Sequence, residues 1–192
     1  PGIDKIADGS FNPIGGDNAS FTIFIQHPET FYNFDIETWY YNYCLINLWS
    51  MDNTTWGFND KSVVKTIYDP CPAGFHIPAS NAFTGFTKDG QNKGPMNVSG
   101  AWDYGWNFNN KISSPDATIY FPATGGRTGG RNSGKKRGPL YGVGWGGGYA
   151  TATPYKELGD ITCGLGFTSR FVLSKSAQSS YSNGEAVRPV SE

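Results

Sequence analysis

The chain has 192 residues, enough for one sizeable domain and too few for two comfortable ones. Charged residues make up 16% where an average globular protein has roughly 25%, aromatics reach 16%, and 26 glycines stand among them. That mixture excludes a mostly disordered chain and disfavours long helices, and a net charge of −1 argues against a dedicated nucleic-acid binder.

Residues 1–20 are rich in Gly, Asn and Asp and read as a linker or irregular lead-in, leaving 21–192 as a single domain. Residues 21–26, FTIFIQ, crowd β-branched and aromatic side chains together and read as a strand, which His27-Pro28 ends. The aromatic stretch 29–49 fits neither helical nor strand periodicity and is left as a short helix or irregular packing. Residues 61–69, KSVVKTIYD, read as a strand leading into a Pro-Cys-Pro turn. A short helix is expected over 79–86, with Ser80 or Asn81 as its N-cap and Ala82, Phe83 and Phe86 at helical spacing. From 88 to 115 the chain reads as loop, studded with Trp102, Tyr104, Trp106 and Phe108. Strands are expected at 117–123, 148–155, 161–169, 170–175 and 184–190. These elements add up to one α+β domain with small antiparallel sheets, one or two short helices and long Gly-rich loops.

The charge is unevenly spread. No acidic residue lies between Asp116 and Glu157, and 127–137 carries five positive charges, leaving the remainder of the chain at −6. The stretch is either an anion-attracting loop or an ordinary solvated one. Cys44, Cys71 and Cys163 permit one disulfide, with Cys44–Cys71 the expected pair, or three free buried thiols. No apolar run approaches 18 residues, so no membrane span is expected. The chain opens at Pro1 without an initiator Met, as a processed or trimmed chain would, so a missing signal peptide says nothing about secretion.

Two glycine patterns imitate nucleotide sites. Gly129-x₄-Gly134-Lys135 continues with Lys136 where a phosphate loop needs Ser or Thr, and RGPLYG cannot open the helix such a loop requires. Gly142-x-Gly144-x-x-Gly147 falls in a tract with 11 glycines among residues 125–148, where letter matches arise by chance. Only His27 and His76 are present, too few for a zinc site with these cysteines, so no metal and no cofactor is expected. The proline neighbours of Cys71 point to a structural rather than nucleophilic cysteine.

Residues 65–78, KTIYDPCPAGFHIP, resemble the DPCPxGWxVP signature of the Fibrobacter succinogenes major paralogous domain, abundant in exported Bacteroidetes proteins. In the same order, FTIFIQHPETFY, INLW, YFPATGGR, GGYATATPY and GEAVRPV resemble the family's other segments, so the likeness runs from about residue 21 to 190. It implies a C-type-lectin-like fold and a place in fimbrillin-like proteins or lipoproteins at the outer membrane surface, outside the cell. Phe75 replaces the usual Trp, Ala150 stands where Trp is common, and Pro189 occupies a position that is Cys in some members. The calcium-binding triplets of true C-type lectins are missing, which implies binding without calcium, and the copper-binding cysteine pair of formylglycine-generating enzymes is not recognisable.

In lectin-like folds long loops carry recognition, and by position these are 96–110 and 125–148. They supply Trp102, Tyr104, Trp106, Arg127, Arg131, Asn132, Lys135, Tyr141 and Trp145 as candidate ligand-binding residues, with aromatic faces for sugar C–H groups and Arg or Asn for hydroxyls and carboxylates. Trp102 and Trp106 serve equally as core filling, and Trp145, between glycines, is the best exposed candidate. The expected function is a surface adhesin domain, not an enzyme, recognising a glycan or host surface protein. The alternative is a structural pilus subunit that joins other surface-protein subunits by strand addition.

Overall fold

The computed structural model describes residues 49–52, 57–127, 131–132, 136–137, 140–155, 161–180 and 183–192. The expected lead-in 1–20, the strand 21–26, the stretch 29–48 and Cys44 lie outside the described residues.

Two three-stranded antiparallel sheets frame the core. The first runs in the order β2 (Val98–Ser99), β3 (Gly105–Asn109), β4 (Thr118–Pro122). The second places β10 (Ile161–Thr168) between β9 (Gly146–Pro154) and β11 (Val172–Ser180). Three two-stranded pairs complete the described structure. β1 (Phe75–His76) pairs with β12 (Val190–Ser191), β5 (Gly126–Arg127) with β8 (Leu140–Tyr141), and β6 (Arg131–Asn132) with β7 (Lys136–Arg137).

Alternation puts Trp106 and Phe108 of β3 and Phe121 of β4 on the inner face, where they meet Tyr149, Leu165, Phe167 and Val172 of the second sheet. Phe83 and Phe86 close the cluster, Phe86 stacking on Phe108 with ring centroids 4.0 Å apart. Two hydrogen bonds tie the layers together. The Trp106 indole N–H donates to the Thr168 carbonyl at 3.0 Å, and the Tyr149 hydroxyl donates to the Pro122 carbonyl at 2.9 Å. Each fully buried large apolar side chain contributes roughly 1.5–3 kcal/mol, so this aromatic cluster is the main stabilising element described.

The fold class departs from the expected α+β, C-type-lectin-like one. Among the described residues the chain is almost entirely strand and loop, and its only helical segment is the 3-10 turn Thr84–Phe86. The expected helix over 79–86 fails for a local reason. Ser80 does not cap it: its buried hydroxyl accepts the Asn59 N–H at 2.8 Å and faces the Gly57 and Asn59 carbonyls, both at 3.1 Å. Phe83, at the N-terminal flank of the turn, offers no capping side chain, and Gly85 sits within it. The lectin-like architecture goes with the helices.

Two further segments differ. Residues 61–69 form no strand, only the bridge Lys65–Ser50, because a turn closes at Asp69 N–H to Thr66 O, 3.2 Å. The stretch 88–115 is not all loop, since β2 and β3 lie within it. Residues 184–190 touch their neighbours through single bridges, Gly184 to Arg127 and Ala186 to Tyr149, and strand pairing resumes only at Val190, past Pro189.

Candidate functional site

The turn Gly142–Trp145 closes with the Trp145 and Gly146 amides both donating to the Gly142 carbonyl at 2.9 Å. Gly144 takes φ +75°, a conformation glycine adopts without steric cost, and the turn leaves Trp145 70% exposed. A backbone chain links this turn to β3 and β4: Gly144 N–H donates to Ala123 O at 2.8 Å, and Ala123 N–H donates to Tyr104 O at 2.7 Å. Tyr104 is thereby tied, through Ala123, to the turn that carries Trp145.

Tyr104 is also 70% exposed, and its φ of +50° is rare for a residue with a Cβ. A side chain at Gly144 would come within 3.2 Å of Tyr104 Cδ1 and press the ring aside by a few tenths of an ångström. A non-glycine residue in this region costs of order 1–3 kcal/mol, and here the strained residue is an aromatic aimed at solvent.

Of the other expected site residues, Trp106 is buried and Trp102 half-buried, stacked edge to face at 5.6 Å and facing the core rather than solvent. Tyr141 is exposed, but its hydroxyl donates to Glu185 Oε1. Half-buried Arg127 exchanges backbone hydrogen bonds with Gly184. Arg131 and Asn132 form β6, paired in register with Arg137 and Lys136, while Lys135 lies outside the described residues. The structure therefore sets Tyr104 against Gly144, the residue before Trp145, sends Trp102 and Trp106 inward, and holds Arg127 and Tyr141 in the β5–β8 pair.

The signature 65–78 turns out to be built around Asp69, which sequence reading did not single out. Its buried carboxylate accepts the Cys71 N–H at 2.7 Å and the Lys65 ammonium at 2.9 Å through Oδ1, and the Ile77 N–H at 2.9 Å through Oδ2. Lys65 Nζ also donates to the Cys71 carbonyl at 2.6 Å. Burial alone would raise the Asp69 pKa, but the amides of Ile77 and Cys71 and the Lys65 ammonium outweigh it and hold the carboxyl below its ordinary value. The Asp69 side chain thus ties the Pro-Cys-Pro turn to Ile77, just past β1, which pairs with β12.

Cysteine chemistry is suppressed at this turn. Cys71 and Cys163 are free, buried thiols, so the expected Cys44–Cys71 bridge is not formed. Burial, reinforced by the Asp69 carboxylate, pushes Cys71 up to about 11, and burial pushes Cys163 to about 12, which leaves almost no thiolate at neutral pH. His76 Nδ1 is engaged with the Ile77 carbonyl at 2.8 Å. Among the described residues no cluster of three or more His, Cys, Asp or Glu side chains is placed to hold a metal ion. No helix of the described residues is long and apolar enough to cross a membrane. The concavity lined by Ser50, Asp52, Asn59, Lys61 and Ala152 has room for about one water, too little for an organic ligand.

No family model, curated protein or solved structure matches the chain. The chemistry of the exposed rings therefore carries the functional reading.

Proposed function

We propose that this chain is a surface-displayed binding domain that recognises a glycan through the Tyr104–Trp145 pair, without calcium and without catalysis. The observation that carries this reading is that the two most exposed aromatic side chains of the described residues belong to one turn region, Tyr104 lying against Gly144 and Trp145 following it in the chain. Exposed aromatics cost solvation free energy, and their faces are suited to stacking on the C–H faces of sugar rings while rim hydroxyls stay hydrated. Buried thiols with raised pKa values support a binder over a cysteine nucleophile. The resemblance of residues 65–78 to a signature of exported Bacteroidetes domains supports display on the outer surface.

A glycan array probed with fluorescently labelled wild-type protein and with Trp145→Ala tests the reading. Wild type is expected to be retained by a subset of glycans and the variant to lose those signals by at least tenfold. Equal retention of both proteins, or no retention of wild type, overturns it.

A further inference from the structure

The outer face of the first sheet continues the exposed aromatic pair. In the β3–β4 register Gly105 lies opposite Pro122, Trp106 opposite Phe121 and Asn107 opposite Tyr120. Trp106 and Phe121 point into the core, so alternation sends Gly105, Asn107 and Tyr120 to the other side. Tyr120 is 41% exposed and lies across Gly105: a Cβ there would stand 2.7 Å from both its Cζ and its hydroxyl oxygen. Its hydroxyl donates to the Asp103 carbonyl at 2.7 Å, which pins the far end of the ring. One ring face therefore covers bare backbone and the other faces solvent.

The next residue after Asp103 is Tyr104, whose ring rests against Gly144, and the next after Gly144 is Trp145. Backbone neighbours thus link the three exposed rings: Tyr120 lies on Gly105, where a Cβ would collide with it, and Tyr104 lies against Gly144, where a Cβ would press it at 3.2 Å. Polar groups flank them. Asn107, the cross-strand neighbour of Tyr120, is half-buried, and its amide has no hydrogen-bond partner among the described residues. Asp103 is exposed, and its carboxylate likewise has no partner among them.

We infer that Tyr120, Tyr104 and Trp145 form an open track for a linear neutral polysaccharide, held along its length rather than at its end. The inference rests on the glycan reading above and extends it to a ligand class. Ring faces supply sequential stacking platforms, the Asn107 amide both donates and accepts, and the Asp103 carboxylate accepts from hydroxyls while repelling acidic chains. An open row of rings gains affinity with each sugar that reaches a further ring and offers nothing specific to a chain terminus.

Isothermal titration with neutral gluco-, xylo- and manno-oligosaccharides of two to six sugars, and with heparin and alginate as the acidic arm, tests the track. Affinity for one neutral series is expected to rise with length. Tyr120→Ala is expected to weaken the hexasaccharide about tenfold, equivalent to about 1.4 kcal/mol, and the disaccharide much less. Tyr120→Phe, which keeps the ring, should stay within about threefold of wild type, and Asn107→Ala should weaken binding without touching any ring. Thermal melts of each variant separate lost binding from lost folding.

Hexasaccharide binding that ignores Tyr120→Ala and Asn107→Ala but is abolished by Trp145→Ala overturns the track and leaves the glycan reading standing. A preference for heparin or alginate overturns the neutral ligand class. Failure of wild type to bind any member of the panel overturns the glycan reading together with the track.

Discussion

Trp106 and Trp145 are the same residue type on adjoining pieces of chain, and the fold treats them oppositely. Trp106 is 8% exposed, packs among Trp102 and its core neighbours, and gives its indole N–H to Thr168 O. Trp145 is 70% exposed, and neither its indole N–H nor its ring has a partner among the described residues. The same division separates Phe121 from Tyr120 on successive positions of β4. Strand phase decides which ring is buried, and glycine placement decides where an outward ring can rest. Aromatic residues are thus divided between a core that stabilises and a surface free to bind, with little overlap between them.

The largest expected effect lies on the core side. Phe108→Ala removes a fully buried ring that stacks on Phe86 and meets Phe121 and Phe167, and should cost about 3–5 kcal/mol in denaturant unfolding. A loss below about 1 kcal/mol would mean that the two sheets do not share a packed core.

Asp69→Ala belongs on the same structural side and should cost about 3 kcal/mol, because two buried amides and the Lys65 ammonium lose their acceptor. The folded Asp69 carboxyl titrates below its ordinary 3.8, so its contribution is complete above that value. It is lost as pH falls from 3.8 through the lower folded pKa, and the variant should show a correspondingly flatter loss of stability with acid. Parallel acid limbs for the two proteins would remove Asp69 from this role.

On the surface side the sign should change. Tyr104→Gly relieves a φ of +50° and should leave stability unchanged or raised by up to about 1 kcal/mol, while glycan binding falls. Marked destabilisation would show that the Tyr104 ring is structural. The smallest effect is expected for Trp145→Ala, within about 0.5 kcal/mol of wild type by thermal unfolding, since little of the side chain is buried.

Much of the sheet was legible in the sequence, because runs such as ATIYFPA and ITCGLGFTS combine β-branched and aromatic residues between turn signals. β3 was hidden, since GWNFN reads as loop from its glycine and asparagines although Trp106 and Phe108 alternate as a half-buried strand should. Spacing suggests a helix at 79–86 because Ser80 is a good cap by type, but its hydroxyl is spent on the 57–59 loop, a partner that spacing cannot show. At the site, the glycines around Trp145 gave its exposure away. Loop position points to Tyr104 but not to the backbone conformation that exposes it. Tyr120 was missed because alternation pairs it against Phe121 without saying which of the two faces the second sheet.

The separation of buried from binding rings is tested most directly by the indole N–H signals in a ¹⁵N-correlated NMR titration with an oligosaccharide that the protein retains. The Trp145 Nε1–H signal is expected to shift progressively to saturation while that of Trp106, bonded to Thr168 O, stays fixed. A shift of Trp106 with Trp145 unmoved would contradict the assignment of recognition to the exposed rings.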